Sequence, residues 1–132
     1  MSGEHSGGDA EKVAVVRRAF ECFDRGDIDA MLEHVHPDGE FIPIFMDSRA
    51  HRGRTAIRRI FEGNGSRRRW SVDDLEIDVI GERVVAGGRL HSTTTIGTAE
   101  DYPIAWVIDL ADGRIVRMQS FVHRRQALAA IA

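Results

Sequence analysis

The N-terminal part of the chain shows a helical pattern of apolar residues. Val13, Val16, Phe20 and Phe23 recur at spacings of three and four residues, so they share one face of a helix predicted over residues 9–24. The residues between them are mostly polar or small. The pattern therefore predicts an amphipathic helix that packs on a core through this apolar stripe.

A second helix is predicted directly after the glycine at position 26, which ends the first one. Asp27 is a good N-cap residue, and the helix that follows has its apolar residues on one face: Ile28, Met31, Leu32 and Val35. A turn at residues 37–39 ends it. Residues 40–45 then read as a strand, residues 46–53 as a loop, and residues 55–62 as a third helix with inward-facing Ile57, Ile60 and Phe61.

The C-terminal half alternates strands with short turns. Apolar and acidic residues alternate from Leu75 to Val79, which is the pattern of a strand with one wet face. Further strands are predicted over residues 83–95, 102–110 and 114–123, and a short closing helix over residues 124–132. These elements predict an α+β fold in which three N-terminal helices pack on a curved, mainly antiparallel sheet.

The predicted strand over residues 102–110 is apolar on both faces. Tyr102, Ile104, Trp106 and Ile108 alternate with Pro103, Ala105 and Val107, which is typical of a strand covered on both sides. Three helices on one face would leave the other face in water as a contiguous apolar patch. We therefore expect a homodimer that packs through the sheet.

Composition limits the function classes further. A chain of 132 residues forms one domain, and its net charge of −3 gives no strong attraction to nucleic acid or to an anionic membrane. No apolar run is long enough for a membrane span, so we expect a cytoplasmic protein. We also expect a disordered tail over residues 1–9, a single domain over residues 10–132, and no metal or cofactor.

Three short motifs at matching places indicate a family. The chain resembles the nuclear-transport-factor-2-like superfamily, and within it the SnoaL-like and ketosteroid-isomerase-like proteins, through the segments Gly26-Asp27-Ile28-Asp29, Gly53-Arg54-Thr55-Ala56-Ile57 and Asp112-Gly113-Arg114-Ile115-Val116. The resemblance implies a cone-shaped α+β barrel with a pocket for a small molecule. It does not fix an activity, since the superfamily holds isomerases, hydrolases, polyketide cyclases, dehydratases and non-catalytic binding proteins.

The acid and base groups of the ketosteroid isomerases have no counterparts in this sequence. The resemblance places the phenol position on Ala19, the base position on Pro43 and the protonated carboxyl position on Ala105. None of these three residues can transfer a proton or donate a side-chain hydrogen bond to an oxyanion. The familiar steroid-isomerase mechanism is therefore not expected.

The site residues of the limonene epoxide hydrolases match this sequence slightly better than those of the ketosteroid isomerases. Arg89 and His91 lie where that family carries an arginine and an aspartate, and Ser120 lies at its second aspartate position, which SnoaL-like cyclases also use. His91 would then be the base, because an imidazole titrates near neutral pH. Side chains alternate between the two faces of a strand, so two alternatives remain: either Arg89, His91 and Thr93 face inward, or Leu90, Ser92 and Thr94 do. A bulge at residues 87–88 could switch between them.

These observations give three hypotheses for the function. The first is a small-molecule-binding SnoaL-like domain, which would be an isomerase, cyclase or hydrolase with His91 as its catalytic residue and a ligand site formed by Phe20, Phe23, Met31, Arg89, Met118 and Ser120. Its partner would be a small apolar molecule. The second is a non-catalytic ligand-binding or dimerisation module. The third is an anion or nucleic-acid binder that uses the arginine-rich segment over residues 49–69.

Overall fold

The computed structural model describes residues 2–44, 49–62, 69–93, 97 and 99–132. Within them the chain forms four helices and six strands. In chain order these are α1 (Ser2–Asp24), α2 (Ile28–Glu33), β1 (Val35–Ile42), β2 (His51–Arg52), α3 (Arg54–Phe61), β3 (Arg69–Ile80), β4 (Arg83–Thr93), β5 (Ala99–Ala111), β6 (Arg114–Phe121) and α4 (Arg124–Ile131). No helix in these ranges is long and apolar enough to cross a membrane.

The first two helices form as the sequence predicts. Val16 and Phe20 are buried on one face of α1, and Gly26 adopts a positive φ of 74° in the turn that follows. Asp27 caps α2, since its Oδ1 accepts a hydrogen bond of 3.1 Å from the backbone N–H of Ala30. The backbone of α1 begins at Ser2, ahead of the predicted start near residue 9.

Strand β1 is the main difference from the predicted elements. The periodic pattern assigned Val35 to α2 and began the strand at residue 40, whereas α2 ends at Glu33 and β1 begins at Val35. The cause is a parallel pairing with β6, in which Val35 lies opposite Ile115. A helical spacing between neighbours in sequence cannot reveal a partner this distant. The predicted strand residue 45 lies outside the described residues.

The six strands form one sheet in the order β2-β1-β6-β5-β4-β3. All neighbouring pairs are antiparallel except β1 and β6, so the prediction of a curved, mainly antiparallel sheet is confirmed. The two end strands do not pair with each other, and the sheet is therefore unclosed where the structure describes it. The cone shape of the predicted α+β barrel stays a prediction.

Helices cover both faces of the sheet. On the inner face, Trp106 and Ile108 of β5 pack with Val16 and Phe20 of α1 in the main core. On the outer face, Val85, Ala105 and Val107 pack against Ala127 of α4, and all four residues are buried. Strand β5 is therefore covered twice, as its sequence predicts. The second cover is a helix of the same chain, so the apolar pattern does not itself require a second copy.

A bulge in β3 lies opposite Gly88 of β4. Asp73 pairs with Arg89 and Glu76 pairs with Gly87, so β3 carries one more residue than β4 between these pairs. The extra residue lies beside Gly88, where a Cβ atom would come within 2.5 Å of the backbone oxygen of Asp73. Strand β4 keeps continuous register with β5 and does not change parity itself.

The two adjacent glycines of β4 provide a test of this bulge. We expect Gly88→Ala to lower the free energy of unfolding by about 2 kcal/mol, because the new methyl group must displace backbone atoms. Gly87→Ala is the matched control, since its Cβ would meet only ordinary contacts at 3.4 Å and beyond. Urea denaturation of both variants measures the difference. Equal stability of the two would show that the bulge does not constrain position 88.

Candidate functional site

An apolar cavity of about 70 Å³ lies between the inner face of the sheet and the helices α1, α2 and α3. We call it the inner cavity. Helix α1 contributes Ala19, helix α2 contributes Met31 and strand β6 contributes Met118, and the aromatic part of the wall consists of Phe20, Phe23, Phe41, Phe61 and Trp106. The wall is thus formed by the same apolar stripes that drive the helices onto the sheet.

The aromatic rings of this wall contact one another. Phe20 packs on Trp106 with ring centroids 4.8 Å apart, and Phe61 lies 5.2 Å from Phe41 and 5.5 Å from Phe23. Trp70 of β3 extends the cluster, since its ring lies 6.3 Å from that of Phe61. These tilted and edge-on arrangements are the favourable ones for aromatic pairs. Phe61 therefore lies at the centre of the cluster.

Among the described residues that line the inner cavity, Glu40 is the one with an ionisable side chain. Its carboxylate oxygen Oε1 accepts a hydrogen bond of 3.0 Å from Arg52 on the neighbouring strand β2. The negative charge of Glu40 is therefore paired with Arg52 at the edge of the sheet. The cavity surface itself is apolar, and it favours a ligand that presents hydrocarbon or aromatic groups.

Four of the sequence-predicted ligand-binding residues lie in the wall of the inner cavity, namely Phe20, Phe23, Met31 and Met118. Ser120 belongs to the same face of the sheet, because it pairs with Trp106 across β5 and β6. It is not part of the described lining. The apolar stripes on the helices therefore predicted part of the wall correctly. The polar strand residues Arg89, His91 and Ser120 do not line the inner cavity.

Arg89 and His91 lie on the other face of the sheet. Leu90 between them is buried in the main core on the inner face, and alternation turns its two neighbours outward. His91 pairs with Asp101 on β5, and Arg89 donates a hydrogen bond of 2.8 Å from Nε to Asp101 Oδ1. The described structure thus does not bring either residue to the inner cavity. A catalytic role for His91 stays a prediction.

Three arginines of the arginine-rich segment, Arg52, Arg54 and Arg58, make internal contacts. Arg54 donates to the backbone oxygen of Val35 from both Nε and Nη2, at 3.0 and 2.7 Å. Arg58 forms ion pairs with Asp29 and Glu62. Residues 63–68 lie outside the described ranges. The paired guanidinium groups offer less free positive charge than the sequence indicates, which weakens the hypothesis of an anion binder.

A second depression of about 330 Å³ adjoins the inner cavity and opens at the end of α1. We call it the outer cleft. It shares Phe23 and Phe61 with the inner cavity, and its other described residues are Asp24, Arg25, Gly26, Ile28 and Trp70. Sequence reasoning missed Asp24. The signal that could have found it is an acidic residue at the end of an apolar helix stripe, next to Phe23.

Asp24 joins α1 to the sheet. Its Oδ1 accepts a hydrogen bond of 2.9 Å from the backbone N–H of Val72 on β3. Although much of the residue is exposed, partial burial of the carboxyl raises the pKa of Asp24; the bond from Val72 opposes the rise, and the charge of Asp73 adds to it. The protonated form of Asp24 is therefore more favoured in the folded chain than in the unfolded chain.

This pKa shift predicts how stability depends on pH. Because the pKa of Asp24 is higher in the folded than in the unfolded chain, the folded chain binds more protons in that window and loses stability as pH rises through it. Asp24→Asn keeps the acceptor for Val72 and removes the titration. As the pH rises from about 3 to about 7, we therefore expect the free energy of unfolding of this variant to increase relative to that of the wild type. The increase should be small, since the residue is exposed.

Asp24→Ala is the matched variant, because it also loses the hydrogen bond to Val72. We expect it to be less stable than Asp24→Asn by about 1 kcal/mol at both pH values. Urea denaturation of the three proteins at each pH measures both effects. An Asn variant that follows the wild type at every pH would contradict the assigned shift.

Solved structures of other proteins share this fold. A candidate polyketide cyclase from Xanthomonas campestris is 23% identical and superposes with a TM-score of 0.79 over 95% of this chain and 99% of its own. An NTF2-like protein of unknown function from Burkholderia pseudomallei is 22% identical, with a TM-score of 0.71 over 92% and 98%. TerC, crystallised with polyporic acid, is 21% identical, with a TM-score of 0.71 over 92% and 98%.

These similarities define a nuclear-transport-factor-2-like fold. The chain belongs to the SnoaL-like domain family, whose model matches residues 16–118. The resemblance found in the sequence is thereby confirmed. No curated protein matches the sequence. The matched region contains every described residue of the inner cavity wall, and helix α4 lies beyond it.

Proposed function

We propose that this SnoaL-like protein binds a small, mostly apolar molecule in the inner cavity. The observation that carries the proposal is the wall itself, in which five aromatic residues and two methionines surround a space left open in the core. Well-packed cores leave few voids larger than a water molecule. A persistent apolar cavity lowers stability unless a ligand fills it, because its lining atoms lack contact partners.

The chemistry of the wall restricts the ligand. A polar group placed against these side chains would lose its hydrogen bonds to water, at a cost of about 1–3 kcal/mol. The enclosed part of the ligand is therefore hydrocarbon or aromatic. The co-crystal of TerC with polyporic acid supports this proposal, since a protein of the same fold takes up a small organic molecule.

An isomerase, cyclase or hydrolase activity at this site would need a proton-transfer group beside the ligand. Ala19 lines the inner cavity at the position of the isomerase phenol, and Ala105 faces α4 on the other side of the sheet. Neither can serve. Glu40 is the ionisable residue of the described wall, and its carboxylate is paired with Arg52 at the sheet edge. The non-catalytic ligand-binding module is therefore the simpler form of the proposal.

Binding to the inner cavity can be followed through Trp106. In a Trp70→Phe background Trp106 is the sole tryptophan, because the chain has two. We expect iodobenzene, an apolar quencher, to enter the inner cavity by displacing part of its wall. It should then reduce the fluorescence of Trp106 saturably, since the ring of Trp106 forms part of that wall. Ala19→Leu should weaken this binding at least tenfold by filling the space with about three extra methyl or methylene groups.

Ala10→Leu is the matched control for that substitution. Ala10 lies on the same helix α1 but is exposed and far from the wall, so the quenching curve should not change. Met118→Phe supplies a second way to fill the cavity in case Ala19→Leu distorts the core. Unsaturable quenching that is equal in all variants would contradict the proposal.

Association of two copies and a cytoplasmic location remain separate predictions. Helix α4 already covers the buried part of the outer face, which leaves the half-buried side chains of Phe121, Leu128 and Ile131 for a partner. We expect sedimentation equilibrium at micromolar concentration to give a dimer mass and Phe121→Glu to give a monomer. Ile80→Glu, at an exposed apolar residue on the far strand, is the control. A wild-type monomer would refute the dimer.

A further inference from the structure

The inner cavity and the outer cleft are separated by two aromatic side chains. Both spaces are lined by Phe23 and Phe61, whose ring centroids lie 5.5 Å apart in an edge-on arrangement. One side of this pair is apolar. The other side holds the ionisable residues Asp24 and Arg25. A single aromatic pair therefore divides a hydrophobic space from a polar one.

The inner cavity is too small for a ring-sized ligand as it stands. Its volume is about 70 Å³, whereas an apolar cavity that holds one benzene measures about 150 Å³. A larger ligand must displace part of the wall. The outer cleft, at about 330 Å³, supplies the adjoining room.

Phe61 lines both spaces and lies at the end of a helix. It is the last residue of α3, whose first turn is anchored by the two hydrogen bonds from Arg54 to Val35 and by Gly53 N–H bonded to the oxygen of Gly39 at 2.8 Å. The last turn is joined to α2 through the ion pair of Arg58 with Asp29. Both groups are exposed, and such pairs contribute about 0–1 kcal/mol.

Asp24 provides the polar end of the combined space. Its Oδ1 is bonded to Val72 N–H, and the described residues place no donor on its other carboxylate oxygen. Arg25, next to it, directs Nη2 to the Cys22 sulfur at 3.5 Å rather than to Asp24. A hydrogen-bond donor that arrives with a ligand could therefore bond to this second oxygen, and bonds to an ionised carboxylate are among the stronger ones.

We propose that the inner cavity and the outer cleft form one binding site, and that its ligand is an elongated molecule with an apolar end and a hydrogen-bond-donating amine or hydroxyl end. The apolar end fills the inner cavity after Phe61 moves aside, and the polar end bonds to the carboxylate of Asp24. This inference rests on the proposed binding function and adds the class of ligand and the residue that selects it.

Displacement of iodobenzene from Trp106 tests the selection, again in the Trp70→Phe background. Butylbenzene, phenylbutylamine and phenylbutanoate have the same apolar body and differ in the end group. Asp24→Asn keeps the bond to Val72 and removes the charge. We expect this substitution to weaken the binding of phenylbutylamine about fivefold. The affinity for butylbenzene should change by less than about twofold, and the affinity for phenylbutanoate should not decrease.

Phe61→Ala tests the division of the site. If Phe61 must move aside, its removal should tighten butylbenzene binding about threefold, whereas removal of a fixed contact wall would weaken it. Phe121→Ala, a half-buried phenylalanine on the outer face, is the control. Urea denaturation confirms that each variant is folded.

The possible results separate the two proposals. Absence of saturable iodobenzene quenching in the Trp70→Phe protein would overturn the binding function and this inference with it. Normal quenching, with phenylbutylamine unaffected by Asp24→Asn, would overturn the role of Asp24 while the binding function stands. Weaker butylbenzene binding in Phe61→Ala would likewise overturn the division by Phe61.

Discussion

The alternation of large and small side chains on β5 is the constraint on which the rest of the structure depends. Ile104, Trp106 and Ile108 point to the inner face, where their bulk meets α1, whereas Ala105 and Val107 point to the outer face and let α4 approach. Because side chains alternate strictly along a strand, the two faces cannot be exchanged. The inner cavity lies beside Trp106, whose ring packs on that of Phe20 with centroids 4.8 Å apart.

The same alternation places the proposed binding site and the polar residues of β4 and β5 on opposite faces of the sheet. A ligand in the inner cavity would contact residues from α1, α2, α3 and β6, which also form the main core. The site and the core are therefore one hydrophobic cluster, and substitutions in the wall will affect stability together with binding. Arg89 and Asp101 form an exposed ion pair across the sheet from this cluster, and His91 lies opposite Asp101 on the same face.

The sequence was sufficient for features that depend on neighbours along the chain. Spacing and alternation were enough to predict the cap at Asp27, the helix α3 and the double covering of β5. They also placed Phe20, Phe23 and Met31 on the apolar helix faces that form the cavity wall. The sequence was insufficient where a structural feature depends on a strand or helix that is distant along the chain. The start of β1 at Val35 depends on β6, and the outward direction of His91 depends on register with β5. The contribution of Asp24 requires the end of α1 to meet the backbone of β3, which no local pattern shows.

The central claim is that a ligand occupies the space enclosed by Phe20, Met31, Trp106 and Met118. Intermolecular nuclear Overhauser effects between bound butylbenzene and the methionine methyl groups test it most directly, since Met31 and Met118 line the inner cavity from two different elements, α2 and β6. We expect the ligand protons to give cross-peaks to both methyl groups. Cross-peaks confined to outer-face residues such as Leu128 would contradict the account.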